Sequence, residues 1–224
     1  MSRQGDELAI CPSAGVGRQL TERVAEAFAR LDARLLPAGL YIVATPIGNL
    51  ADVTLRALHI LSSADVVYCE DTRTSSRLLQ HYSIQAQTLA FHEHNEDTEQ
   101  NKVIARLEAG QRVALISDAG TPLIADPGFK LVRACALKAL PVVAIPGPCA
   151  FVAALSASGL PTDQFTFAGF LSAKQTARRT QLSKLKSSTN TLVFYEAPQR
   201  VAQCLSDMAD VLGARQGVIA REVT

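Results

Sequence analysis

The chain has 224 residues, 48% of them hydrophobic, which is enough to bury a real core as one large domain or two modest ones. A formal net charge of +1 excludes a protein that binds nucleic acid through overall basicity, so any charge-driven partner must be met by a local patch. Five scattered cysteines (Cys11, Cys69, Cys135, Cys149, Cys204) form no C-x-x-C pair, and no uncharged apolar run is long enough for a membrane span. A disulfide framework, a zinc site and a membrane protein are therefore all disfavoured.

In chain order, Asp6 and Glu7 argue against a signal peptide. Residues 20–36 have helical spacing with alternating charges, followed by Pro37 and Gly39. They read as a solvent-facing helix in an extension, 1–38, to which no chemistry is assigned. From 40 onward, strands are expected at 40–44, 66–69, 88–91, 112–116 and 142–145. Several are continuously apolar, as strands buried on both faces of a parallel sheet are. Amphipathic helices are expected between them at 53–61, 74–82, 99–108 and 129–138, with Asp52 as the N-cap of the first and Gly110 as the stop of the third. This alternation predicts an α/β domain with a doubly wound parallel sheet over 39–158.

The run SGLPTD (158–163) reads as a hinge. A second α/β unit, 159–224, follows: strand 166–169, helix 175–186, strand 191–195, helix 198–212, strand 217–221. The chain stops just past that strand, which would leave a raw sheet edge, so the second unit is expected to be truncated.

Three loops fall at the carboxyl ends of strands, where open α/β sheets bind ligands. They are Thr45-Pro46-Ile47-Gly48-Asn49, the run from Ser117 to Gly128, and Pro146-Gly147-Pro148-Cys149-Ala150. Gly lets backbone approach a ligand and Pro stiffens the loop. Each alone reads equally well as an ordinary turn, but three at one sheet edge point to a cleft. There is no G-x-G-x-x-G after the first strand and no G-x-x-x-x-G-K-[ST], which disfavours a dinucleotide site or a P-loop.

The motifs LYIVATPIGNLADVTLRAL, CEDTR, FHEHNE, SDAGTPLIADPG, PGPCA, SGLPTDQF and FYEAPQR occur in this order from 40 to 200. In them the chain resembles the tetrapyrrole-methylase superfamily of S-adenosylmethionine (SAM) enzymes, and within it the bacterial branch that modifies small-subunit ribosomal RNA. The resemblance implies a two-domain α/β fold, with a parallel-sheet N-terminal domain, a smaller mixed-sheet C-terminal domain, and SAM in the cleft between them. It implies a homodimer that methylates the ribose 2′-oxygen of a cytidine in the decoding region of small-subunit rRNA; the unpaired cysteines and the lack of a signal or spanning stretch separately read as a cytoplasmic protein, not membrane-bound. By the same resemblance Pro46, Asp118, Ala119, Gly120, Thr121, Leu123, Ile124, Cys149, Ala150, Phe170 and Tyr195 hold the cofactor, although Phe170 and Tyr195 read equally well as core.

Transfer of an activated methyl to a hydroxyl needs alignment and a place for the proton. Glu70, Asp71 and Arg73 after the second strand, and His92, Glu93 and His94 after the third, are the candidates, and the residues alone do not choose among them. His92 and His94 share a face if the strand continues, but further ligands at helpful spacing are missing and no metal is expected. Arg73 and Arg77 are expected to meet RNA phosphate or Asp71, or to lie on a solvated face. From 164 to 195 there are no acidic residues, while Lys174, Arg178, Arg179, Lys184 and Lys186 recur at helical spacing. Such a stripe suits an RNA backbone, a carboxylate-rich tetrapyrrole, or plain solvent. The rival readings are a tetrapyrrole C-methylase or diphthamide-pathway enzyme of the same superfamily, and a fragment that binds SAM or RNA without catalysis.

Overall fold

The computed structural model describes residues 14–32 and 36–224. Its central feature is a five-stranded, all-parallel sheet. The strands are β1 (Gly39–Val43), β2 (Val66–Cys69), β3 (Thr88–Ala90), β4 (Arg112–Ile116) and β5 (Val142–Ile145), in spatial order β3-β2-β4-β1-β5. Leu40 lies beside Val113 on one side and Val142 on the other. β1 and β2 are buried along their whole length, which is why their sequences carry no polar alternation. β3 and β5 close the edges and are only partly buried.

The connecting helices are α2 (Leu55–Ser63), α3 (Thr72–His81), α4 (Glu96–Glu108) and α5 (Phe129–Leu137). Helix α4 packs on α5 and β4, and α5 on β5. Leu40, Tyr68, Val103, Leu115 and Leu131 belong to one buried cluster, each worth about 1.5–3 kcal/mol on removal from water.

Caps set where these helices begin. Asp52 does not cap α2: it ends a 3-10 turn, Leu50–Asp52, and Val53 after it is extended. The cap is Thr54, whose hydroxyl accepts the Ala57 N–H at 3.1 Å. Helix α3 starts two residues earlier than periodicity suggested because Asp71 accepts the Arg73 N–H at 2.8 Å. Helix α4 starts three residues earlier, with Glu96, Asp97 and Glu99 in its first turn facing the positive end of the helix dipole. Gly110, at φ +78°, lies just past its end, as expected of a stop.

β5 runs into α6 (Ala150–Ala157), which sequence periodicity missed because AFVAALSA is apolar on every side and carries no amphipathic period. After it come β6 (Phe165–Phe170), α7 (Gln175–Leu185), β7 (Thr191–Tyr195) and α8 (Val201–Leu212). β6 and β7 pair in parallel, α7 packs on α8, and Leu171, Leu182 and Cys204 form a small core. The mixed pairing expected of this sheet is not formed. The strand expected at 217–221 has no regular structure, and Val218 and Ile219 are more than half exposed. Strand preference measures the fit of a side chain to a half-buried pleated surface, and these residues line the cleft without pairing to a strand.

Residues up to Pro37 form a unit apart from Ala38–Thr224. Its described helix, α1 (Ala14–Asp32), carries Arg18–Glu22 and Arg30–Glu26 pairs one turn apart. Residues 33–35 of the expected 20–36 helix, and Cys11, lie outside the described residues. Among the described residues, no helix is long and apolar enough to cross a membrane.

Candidate active site

Adjacent strands β1 and β4 send the chain in opposite directions, toward β2 and toward β5. Their carboxyl ends therefore open a crevice of the kind that binds ligands in open α/β sheets. The three loops at this edge are stitched to one another. Thr45 and Gly120 exchange two backbone hydrogen bonds, of 2.8 and 3.0 Å, and the Thr45 hydroxyl donates to the Ser117 carbonyl at 3.2 Å. The Thr121 hydroxyl donates to the Pro148 carbonyl at 3.0 Å. Gly147 passes so close to the end of β1 that a Cβ there would stand 2.9 Å from the Ala44 Cβ.

The middle loop is also bent by unusual backbone. Gly120 and Gly128 have positive φ, and so do the non-glycine residues Leu123 (71°) and Ala125 (65°). Each such non-glycine residue costs about 1–3 kcal/mol, and strain of this kind concentrates at ligand sites.

These loops form one wall of a cleft of about 1550 Å³. Of the expected cofactor residues, Asp118, Ala119, Gly120, Thr121, Ile124, Cys149, Ala150, Phe170 and Tyr195 line it. Pro46 is not among the lining residues; its neighbour Ile47 is. Leu123 turns instead onto the core beneath Gly128. Further lining comes from β7, α8 and residues 213–223. The Tyr195 hydroxyl accepts the Phe151 N–H at 3.1 Å, in the first turn of α6, and its ring meets Phe167 and Phe170. Phe170 is half exposed, a cleft wall rather than core. Glu196, beside Tyr195, also lines the cleft and pairs with Arg200 at 2.6 Å.

The catalytic candidates separate by environment. Asp71 is occupied as the cap of α3 and by the Arg73 guanidinium at 2.7 Å, which holds its carboxyl at about 2. Arg73 thus meets Asp71, one of its two expected partners. His92 and His94 face each other with ring centroids 5.9 Å apart, and neither is among the cleft-lining residues. Glu70 is in the cleft. Burial pushes its carboxyl up, and the negative charges of Asp126 and Asp118 push it further. Asp126, which sequence reasoning passed over inside the ADPG turn, also lines the cleft and is raised chiefly by burial. Asp118 accepts the Asp71 N–H at 3.0 Å, tying the end of β2 to the middle loop. The result is an acidic group, Glu70 with Asp118 and Asp126, beside rigid backbone loops. It suits a cationic ligand and a proton acceptor. Among the described residues, no three His, Cys, Asp or Glu side chains are grouped to hold a metal.

The basic stripe requires correction. Arg178 is fully buried and does not offer its charge to RNA: its guanidinium pairs with Asp207 at 2.6 Å and donates to the Ser172 and Ala173 carbonyls. Arg179 is taken up by Asp207 and Asp210. The local absence of acids misled because both partners arrive from α8. Lys174, Lys184 and Lys186 are exposed.

Residues 39–224 match the family described as Tetrapyrrole (Corrin/Porphyrin) Methylases. The ribosomal RNA small subunit methyltransferase I of Xylella fastidiosa is 53% identical over 189 residues, covering 84% of this chain and 69% of that one. Its counterpart from Mesorhizobium japonicum is 54% identical over 195 residues, covering 87% and 66%. The chain thus spans about two thirds of the length of these curated relatives. Among solved structures, the native form of uroporphyrin III C-methyl transferase from Thermus thermophilus is similar with a TM-score of 0.55 at 18% identity, covering 79% of this chain and 77% of that one. This is a likeness of fold.

Proposed function

This chain belongs to the tetrapyrrole methylase family, and on that premise we propose that it carries the methyl-transfer site of a SAM-dependent enzyme acting on the ribose 2′-oxygen of a cytidine in the decoding region of small-subunit rRNA. The enzyme is read as a cytoplasmic homodimer, with 39–158 and 159–224 as the two domains flanking the cleft. The observation that carries the reading is the stitched three-loop wall, which brings Asp118 and Asp126 beside Glu70 in the cleft.

That wall fits the cofactor chemically. Ile124 and Ala150 supply apolar surface for an adenosine, and the carboxylates complement a cation. SAM when bound supplies a methyl already activated on a sulfonium, so the protein's task is alignment and proton removal. Asp118, Ala119, Gly120, Thr121, Cys149 and Ala150 would hold it, while Phe170 and Tyr195 close the opposite side. Glu70 is the base: its carboxylate takes the proton of the attacking 2′-hydroxyl. Lys174, Lys184 and Lys186 are left to meet RNA phosphate.

Only the ionised form of Glu70 accepts a proton, and its carboxyl sits above the ordinary carboxylate range. The transfer rate therefore rises with pH along an acid limb displaced upward from that range. Glu70→Gln removes the limb and lowers kcat by about 10²–10⁴. The experiment is transfer of tritiated methyl to small ribosomal subunits from a strain lacking the modification, across pH, with this chain and with a longer chain carrying the same site. Absence of label in rRNA from both chains contradicts the reading; label in a tetrapyrrole instead would move the substrate to another branch of the family.

A further inference from the structure

The motif after β3 contains one buried carboxylate that the methyl-transfer reading leaves without a task. Glu96 opens α4 and is 8% exposed, deep for a charged side chain. Its Oε1 accepts the backbone N–H of Gly128 at 3.1 Å. Gly128 ends the middle loop in a left-handed conformation (φ +122°), and a Cβ there would stand 3.0 Å from Leu115 Cδ2. Two residues earlier in the same turn, Asp126 lines the cleft with Glu70 and Ile124.

The start of α4 is itself held from both sides. Asn95 Oδ1 accepts the His92 N–H at 2.8 Å, and its amide donates to the Ala90 carbonyl at 3.0 Å. Asp97 pairs with Lys130 at 2.8 Å, at the start of α5. A fixed helix end thus presents one buried acceptor to a strained turn that carries part of the cleft wall.

We propose that Glu96 is a positioning residue: through the Gly128 N–H it holds the turn that sets Asp126 and Ile124 in the cleft around Glu70. The proposal rests on the methyl-transfer reading of that cleft. What Gly128 needs is an acceptor oxygen and not a charge. Gln at 96 keeps one, Ala leaves a buried N–H unpaired, and Asp keeps the charge but withdraws the oxygen by one methylene.

The test compares the wild-type chain with Glu96→Gln, Glu96→Ala and Glu96→Asp. SAM affinity is read by calorimetry, methyl transfer by steady-state kinetics on small ribosomal subunits, and the Gly128 amide by hydrogen exchange. Loss of the acceptor lowers kcat and weakens SAM binding about tenfold to a hundredfold in the Ala and Asp variants. KM for the ribosomal subunit changes less than about twofold, because the displaced groups act at the reacting centre. Glu96→Gln restores rate, affinity and Gly128 protection. If Glu96→Ala does not fold, Glu96→Asp carries the comparison. Wild-type rate and affinity in Glu96→Asp, or a Gln variant as impaired as the Asp variant, overturns this proposal alone. A wild-type chain that binds no SAM overturns the methyl-transfer reading and this proposal with it.

Discussion

Around the five-stranded sheet, β1 and β2 bury every residue, and the loops at the strand ends are tied by backbone and hydroxyl hydrogen bonds. In the β6–β7 unit no strand residue is fully buried, and the largest fully buried side chain of the described residues is a cation, Arg178. The first region draws its rigidity mainly from apolar burial, with the Asp65–Arg112 pair tying the start of β2 to β4. The second adds to its small apolar core an ion network of Arg178, Asp207, Arg179, Asp210 and Gln175 linking α7 to α8. Rigid loops stand on the apolar sheet, and the opposing wall of the cleft stands on charges.

Breaking the ion network should have the largest effect on stability. Arg178→Ala strips a buried acid of its main partner and costs about 3–5 kcal/mol, read by chemical denaturation. Hydrogen exchange should localise the loss to α7 and α8. Burial alone would push the Asp207 carboxyl up, but hydrogen bonds from Arg178, Gln175 and Arg179 outweigh it and hold the group below the ordinary range. A carboxyl lowered by folding contributes stability above its unfolded value, and that stability is lost as pH falls through the folded value. Protonation of Asp207 should therefore loosen the β6–β7 unit on the acid side.

A smaller effect, and one confined to the loops, is expected of Gly147→Ala. The new methyl meets the Ala44 Cβ at 2.9 Å, and backbone at the junction of β1 and β5 must shift, at a cost of about 1–3 kcal/mol. Denaturation measures that cost. SAM titration should show a disproportionate loss of affinity, because the strain falls where two cleft loops touch.

Much of the five-stranded sheet was legible in the sequence. Val66–Cys69, Arg112–Ile116 and Val142–Ile145 form where apolar and β-branched runs stand between turn residues. The loops were legible for the same reason, since Gly and Pro mark where backbone must turn tightly. What escaped has specific causes. Helix α6 has no polar face to set a period. The ion network joins residues 29 positions apart, so a local reading of charge saw an RNA surface at Arg178 where folding makes a salt bridge. Pro46 and Leu123 sit in the right loops, but side-chain direction decides lining: Ile47 lines the cleft where Pro46 does not, and of the expected pair Leu123 and Ile124 only Ile124 lines it. Asp126 and Glu96 were within quoted motifs, yet their roles depend on a turn whose left-handed residues include Leu123 and Ala125, which no sequence rule places there.

Whether the stitched loops of the five-stranded sheet form a SAM site is decided by calorimetric titration of the chain with SAM. Saturable binding at one site per chain is expected, weakened by Gly147→Ala while the far-ultraviolet circular dichroism spectrum is unchanged. Absence of binding by the folded wild-type chain, or equal binding by the two proteins, would contradict a SAM site there.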